Sequence, residues 1–339
     1  SCIVEDNKHN LWIGTSDGGL NYYDNASQLY KNYLFNSGNL DVPFKDIKTV
    51  YVDEVQDRIY VGAHAGGMMV LHRKSGYIEY YNRHNSNLPS NNIYSIISDG
   101  YGGLWVASLE YLLHFDIDKR NFTIVDVDED GHKLQQYNRL LFCDSKKRIW
   151  AGGEMGISVF NQVGTSLLPN TDFQIASVLK QAFVNCFYET SSGYLWIGTR
   201  NGLFALKESD KQFLQYTTEN GLPSNVIYGI LEDAYGRLWI STNQGLSCLN
   251  PESGKFRNFT IMDGLQGNQF NAGAYCRKDN GYMLFGGVNG ITSFRPETLI
   301  DNPYAPKPVI NKLFVHNKEV LPDDETGILK ESITYVNRI

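Results

Sequence analysis

Six side chains that can carry charge or hydrogen bonds occupy one position of a pattern that returns about every 45 residues. They are His64, Glu110, Glu154, Arg200, Gln244 and Asn289, and Asp17 holds the same place in the first copy. Each sits between two short apolar runs, as in "GAHAGG" and "GTRNGL". If these turns open on a common channel, a ligand would meet a mixed ring of imidazole, carboxylate, guanidinium and amide groups. A second set, Asn92, Arg139, Asn225 and Asn271, lies where the chain enters the first run of each copy, with Asn91, Asn138 and Asn268 beside it. Amides and guanidinium groups suit a hydroxyl-rich ligand, to which they offer donors and acceptors. The plainer account is that Asn fits turns and that hairpin tips stand in water.

Catalysis would require some of these groups to converge. A lyase or hydrolase acting on a glycan would need His64, or a carboxylate pair such as Glu110 and Glu154, near one axis. They fall in different copies, and no HExxH, GxSxG or P-loop supports them. No catalytic residue and no cofactor is therefore expected. In "DVDEDGHKLQQY", Asp126, Asp128, Asp130 and Gly131 match the first half of a calcium loop, but Tyr137 stands where the bidentate glutamate belongs. A solvated acidic turn is the expectation there, and no metal site.

The elements that must position these residues are strands. The anchors are Trp12, Trp105, Trp150, Trp196 and Trp239, with Tyr60 and Leu284 in two weaker copies. One copy reads "NVIYGILED", "RLWISTN", "GLSCLNP", "KFRNFT": four strand-length runs separated by turn residues, with no sustained helical period. Asn201-Gly202, Asn289-Gly290 and Asp17-Gly18 predict tight hairpins with positive φ. Four antiparallel strands at this period describe a β-propeller blade. Seven copies predict an all-β, seven-bladed propeller over 1–296, its tryptophans filling the gaps between blades. Gly14, Gly62, Gly152, Gly198 and Gly286 are expected to keep the backbone narrow near the axis.

The last blade lacks the text of an outer strand, and the chain begins inside a first-strand pattern, so it reads as a piece of something longer. A proline-rich linker, 297–308, leads to "KPVINKLFVHNKEV", an alternating strand with an Asn-Lys turn. The remainder, 309–339, reads as the truncated start of a small β-sandwich.

Composition narrows the function. The 339 residues carry a formal charge of −7 with no Lys/Arg cluster, which argues against nucleic acid and anionic membrane as partners. No run approaches the roughly 18 apolar residues of a membrane span. The five cysteines form no CxxC, and four fall in first strands, so they read as small hydrophobes. Aromatics make up 13% of the chain, and Tyr22, Tyr23, Phe115, Phe160, Phe204 and Phe294 all fall in third strands. The aromatic count is thus mostly a property of the repeat.

The copy "NGLPSNVIYGILEDAYGRLWISTNQGLSCLNPESGKFRNFT" resembles the two-component-regulator propeller repeat. "APKPVINKLFVHNKEVL", with "ESITYVNRI", is similar to the opening of the Ig-like domain, named for three tyrosines, that follows such propellers. The resemblance implies the periplasmic sensor region of a hybrid two-component histidine kinase in the inner membrane, with this propeller the second, membrane-proximal one. It implies an oligosaccharide as ligand, a homodimer, and membrane contact only through a helix beyond this chain. Two alternatives stand beside a sensor: a dimerisation scaffold whose ligand binds elsewhere, and the glycan-acting lyase or hydrolase considered above.

Overall fold

The computed structural model describes residues 1–33, 44–108, 110–125, 138–170, 179–207, 212–299, 311–325 and 327–332. The chain forms two compact units, Ser1–Pro296 and Glu297–Ile339. The first is an all-β propeller of seven antiparallel sheets in chain order. Among the described residues, six sheets have four strands and the last has three. The first strands are Cys2–Glu5, Ile47–Asp53, Ile93–Ser98, Asn138–Cys143, Val184–Glu189, Ile227–Glu232 and Phe270–Arg277. Among the described residues helix is confined to single 3₁₀ turns such as Thr218–Asn220 and Ile261–Asp263. Among the described residues no helix is long and apolar enough to cross a membrane.

A single blade cannot cover both of its faces, and the tryptophans show how the ring solves this. All five are at most 2% exposed. Each lies in a core cluster shared by adjacent blades. Trp12 packs with Ile47 and Val61, and Trp196 with Ile227 and Ile240. Tyr60 takes the same place between blades two and three, beside Ile93 and Val106.

The indole N–H needs a partner in such a core, and in three blades the partner is an aspartate six residues earlier. Trp12, Trp150 and Trp239 donate to Asp6, Asp144 and Asp233 at 3.1, 2.8 and 3.0 Å. Blade three departs from this. There His114 Nε2 takes Asp99 at 2.7 Å, and Trp105 donates to Gln162 at 3.2 Å. The acidic residue at the end of the first strand is thus a packing device.

The glycines act through neighbours. A Cβ on Gly14 would stand 2.5 Å from Ile47 Cγ2, one on Gly62 2.5 Å from Ile93 Cγ2, and one on Gly198 2.4 Å from Cys186 Sγ. Two of these three nearest clashes come from the next blade's first strand, so the crowding is between blades. The hairpins differ from the expectation. Thr199 pairs with Gly202, which makes Arg200 and Asn201 the turn, and Gly202 alone takes positive φ, 119°. The reason is the glycine's neighbour: its N–H donates to Asn225 O of the next blade at 2.8 Å, and a Cβ would lie 2.6 Å from Tyr216 O.

The ring closes where blade seven meets blade one. Leu284 replaces tryptophan there, and only Ile3, Leu11 and Leu284 are fully buried in the shared cluster. Polar contacts supplement it: Asp279 N–H donates to Glu5 at 2.7 Å, and His9 Nδ1 lies 3.3 Å from Glu5 and 3.5 Å from Asp279.

In the second unit, Leu313–Val315 pairs with Lys318–Val320, and Val320, Leu329 and Leu313 pack together. The turn is His316–Asn317, both at positive φ, rather than Asn-Lys. These two strands are all that the described residues offer of a sandwich. The linker 300–308 and the calcium-like segment 126–137 lie outside the described residues.

Candidate functional site

The site is built by a repeated irregularity. In blades two to seven the first strand slips register against the second near its beginning. Ile47 pairs with Ala63 and Thr49 with Gly62, so Lys48 has no opposite residue. Tyr94, Arg139, Asn185 and Tyr228 are left over in the same way, and Asn271–Ala274 form a larger version in blade seven. A β-bulge bends the strand and re-aims the extra side chain. Here the bulged residues line one cavity of about 430 Å³, together with Phe183 and Arg200. All seven first strands contribute to it, so it lies at the mouth of the central channel.

The polar groups of this mouth are ordered around two aromatic rings. The Arg200 guanidinium lies 3.6 Å from the centre of the Phe183 ring. That of Arg139 lies 4.9 Å from Tyr94 and 5.8 Å from Phe183, and its Nη2 pairs with Glu154. Lys48 pairs with Asp46 at 2.8 Å, and His64 Nδ1 stands 3.9 Å from the same carboxylate. Burial pushes the Tyr94 phenol above its ordinary value, although Arg139 pulls the other way. Arg139 Nε and Asp46 Oδ1 are buried with no hydrogen-bond partner.

The two sets of residues singled out in the sequence belong to one face. Turns of the first set hydrogen-bond to the segments entering first strands, as His64 N–H does to Asp46 O at 2.9 Å and Arg200 N–H to Phe183 O at 3.1 Å. Of the ten candidates, Arg139, Arg200 and Asn271 line the cavity. Glu154 pairs with the lining residue Arg139, and His64 stands 3.9 Å from Asp46, the partner of the lining residue Lys48. The others do not line it. Asn92 accepts the N–H of Ala65 at 2.8 Å, and Asn225 that of Thr218 at 2.9 Å. Asn91 and Asn268 do the same for Arg83 and Ile261. Asn289 donates to Gln266 O at 3.3 Å, the Gln244 N–H caps Thr242 Oγ1 at 3.0 Å, and Glu110 is exposed.

Lys48, Tyr94, Asn185, Tyr228 and Phe183 were missed. The available signal was a large polar or aromatic residue in a short apolar strand: the second residue of the first strand is Lys, Tyr, Arg, Asn and Tyr in blades two to six.

Two other features compete with this mouth. A hollow of about 550 Å³ is lined by Asp99, Asp144 and Glu189. Its carboxylates are already committed: Asp99 to His114, Asp144 to Trp150, and Glu189 to Ser145. At the closing seam, Glu5, His9 and Asp279 bring ligand atoms within 4.8 Å of one another. The Lys278 ammonium, 3.7 Å from Glu5, already supplies a cation there.

The two-component-regulator propeller repeat matches residues 1–17, 87–110, 179–201 and 221–244. A histidine kinase of Formosa agariphila is 25% identical over 95% of this chain, which spans 27% of that protein's length. The extracellular domain of a hybrid two-component system from B. thetaiotaomicron superposes with a TM-score of 0.70 at 19% identity, covering 86% of this chain and 37% of that one. A virginiamycin B lyase from Staphylococcus aureus shares the fold, with a TM-score of 0.64 at 14% identity over 86% of this chain and 92% of its own. Four stretches of this chain thus match the two-component-regulator propeller repeat, and its seven blades have the fold of the extracellular domain of that hybrid system.

Proposed function

We propose that this chain is the extracytoplasmic sensor module of a hybrid two-component histidine kinase, and that it takes an oligosaccharide at the mouth of its central channel. The observation that carries the reading is the ring of bulges, which turns a different side chain from each of blades two to seven into one cavity. A structural repeat has no need of such variety, whereas a recognition surface does. Tyr94, Tyr228 and Phe183 give apolar faces, and Asn185, Asn271 and the arginines give orienting hydrogen bonds, the mixture typical of small-molecule sites. The cavity falls within their usual range of roughly 300–1,000 Å³.

The module itself is read as non-catalytic. Glu154 is held by Arg139, and Glu110 does not line the cavity, so the two carboxylates make no acid–base pair there. In this reading the propeller stands in the periplasm, belongs to an inner-membrane protein, and meets neither nucleic acid nor, by its own residues, the bilayer. Its signal passes through a homodimer, because a ligand acts only by favouring one arrangement over another.

Two measurements check this. Thermal melting against a panel of plant and host oligosaccharides should give a selective rise in Tm, by about 2.7 kcal/mol of added stability at a hundredfold excess over Kd. The rise should vanish in Arg139→Ala. A cooperative melt that no sugar moves, or product formation in the same mixtures, would overturn the reading. Sedimentation should show concentration-dependent self-association that tightens with the active sugar, and a monomer throughout would remove the dimer from the scheme.

A further inference from the structure

Among the described residues the charges at the channel mouth are unequal, and the excess is positive. Lys48 is answered by Asp46, and Arg139 by Glu154. Arg200 has no acidic partner among the described residues, and it shares the Phe183 ring with Arg139. Two guanidinium groups are thus drawn to one aromatic ring with one carboxylate between them, in a chain whose formal charge is −7. Stacking on a ring occupies the flat face of a guanidinium and leaves its N–H edge free. That edge is a planar fork whose geometry matches a carboxylate or sulfate group.

We propose that the ligand is an acidic oligosaccharide, and that its carboxylate or sulfate group is held between Arg200 and Arg139 beside Phe183. This rests on the reading of the mouth as a sugar site and names the class of sugar. The neighbours agree with it. Tyr94 and Tyr228 flank the same cavity and offer ring faces to a pyranose, while Asn185 and Asn271 offer amides to its hydroxyls. Arg200 is the specificity-determining residue in this arrangement, since Arg139 is partly neutralised by Glu154 and Arg200 meets no carboxylate among the described residues.

The test is calorimetric titration of the chain with four probes: trigalacturonate, its methyl ester, a sulfated galactobiose and the unsulfated disaccharide. The methyl ester keeps the sugar backbone and removes only the charge. One acidic probe should bind roughly tenfold or more tightly than its neutral partner, the worth of a charge-assisted hydrogen bond. The trigalacturonate arm reports a carboxylate, and the galactobiose arm a sulfate. The preference should shrink at high salt. It should be lost in Arg200→Ala and partly kept in Arg200→Lys, which retains the charge without the fork. Unliganded melts of both variants report that the fold is intact. Neutral probes binding as tightly as acidic ones would overturn the acidic-sugar inference and leave the sugar site standing. So would an acid preference unchanged in Arg200→Ala. Binding of none of the four overturns the inference too, and the broader panel then decides the sugar-site reading separately.

Discussion

Asp144→Ala is expected to cost the propeller about 3–5 kcal/mol, the range for removing one partner of a buried charged network. The carboxylate is nearly inaccessible, with its side chain 2% exposed. It accepts from the Lys146 and Arg148 amides at 3.0 and 2.8 Å, from Arg148 Nε at 2.7 Å and from the Trp150 indole at 2.8 Å. It therefore shapes the turn between two strands and supplies the acceptor for the large side chain that fills the gap to blade five. Alanine removes the acceptor of all four hydrogen bonds at once, and buried donors that lose their partners carry the full desolvation penalty. Asp144→Asn keeps a carbonyl oxygen and should fall between the two. Blade five supplies the control, because Thr190 stands there in place of aspartate and its hydroxyl, among the described residues, meets Ser192 and the Tyr194 backbone. Thr190→Ala should cost about 1 kcal/mol. Urea unfolding followed by tryptophan fluorescence measures all three. Equal midpoints for Asp144→Ala and Thr190→Ala would show that the aspartate network does not hold the blades together.

Alkaline pH should unfold this protein with unusual steepness. Burial pushes the Cys186 thiol up to about 12, and those of Cys248 and Cys276 up to about 11. Tyr275, packed by Cys186, is also raised by burial. An unfolded thiol ionises near its ordinary value of 9.0, while the folded one stays protonated. Above that pH the unfolded chain binds fewer protons than the folded one, so stability falls as pH rises. For Cys186 the loss runs from about pH 9 to about pH 12, at about 1.4 kcal/mol per pH unit, approaching about 4 kcal/mol at the upper end. Below pH 9 the contribution is constant. Urea midpoints taken across the alkaline range should decline less steeply in Cys186→Ala than in the unaltered chain, by close to one proton's worth of slope. Alanine also loses some packing against Ile227, so the variant starts lower and the two curves converge. Parallel curves would mean that the thiol is ionised or solvated in the folded state.

Much of this molecule was legible in its residues because blades are local objects. Strand length, alternation and turn chemistry act over a few neighbours, so Trp12, Trp105, Trp150, Trp196 and Trp239 could be aligned and seven blades counted without coordinates. The same locality placed Arg139, Arg200 and Asn271 on segments that point toward the channel. Other features depend on pairs of segments and could not be read that way. A bulge is a mismatch between two strands, so neither strand contains it alone. Tyr94 looks like any strand residue until Ile93 and Ser95 are seen to pair around it. The inter-blade role of Gly62 appears only when Ile93 Cγ2 of the next blade comes within 2.5 Å of its missing Cβ. Asp144 and Trp150 were both visible, yet only the hairpin that pairs Phe142 with Trp150 and turns just beyond Cys143 brings the carboxylate to the indole as its acceptor. The sequence by itself determined the number of blades, their order and the residues that fill them, since these follow from short-range pattern. Which side chains meet in the channel was decided by tertiary structure, because strand register and the approach of one blade to the next place residues about 45 positions apart side by side.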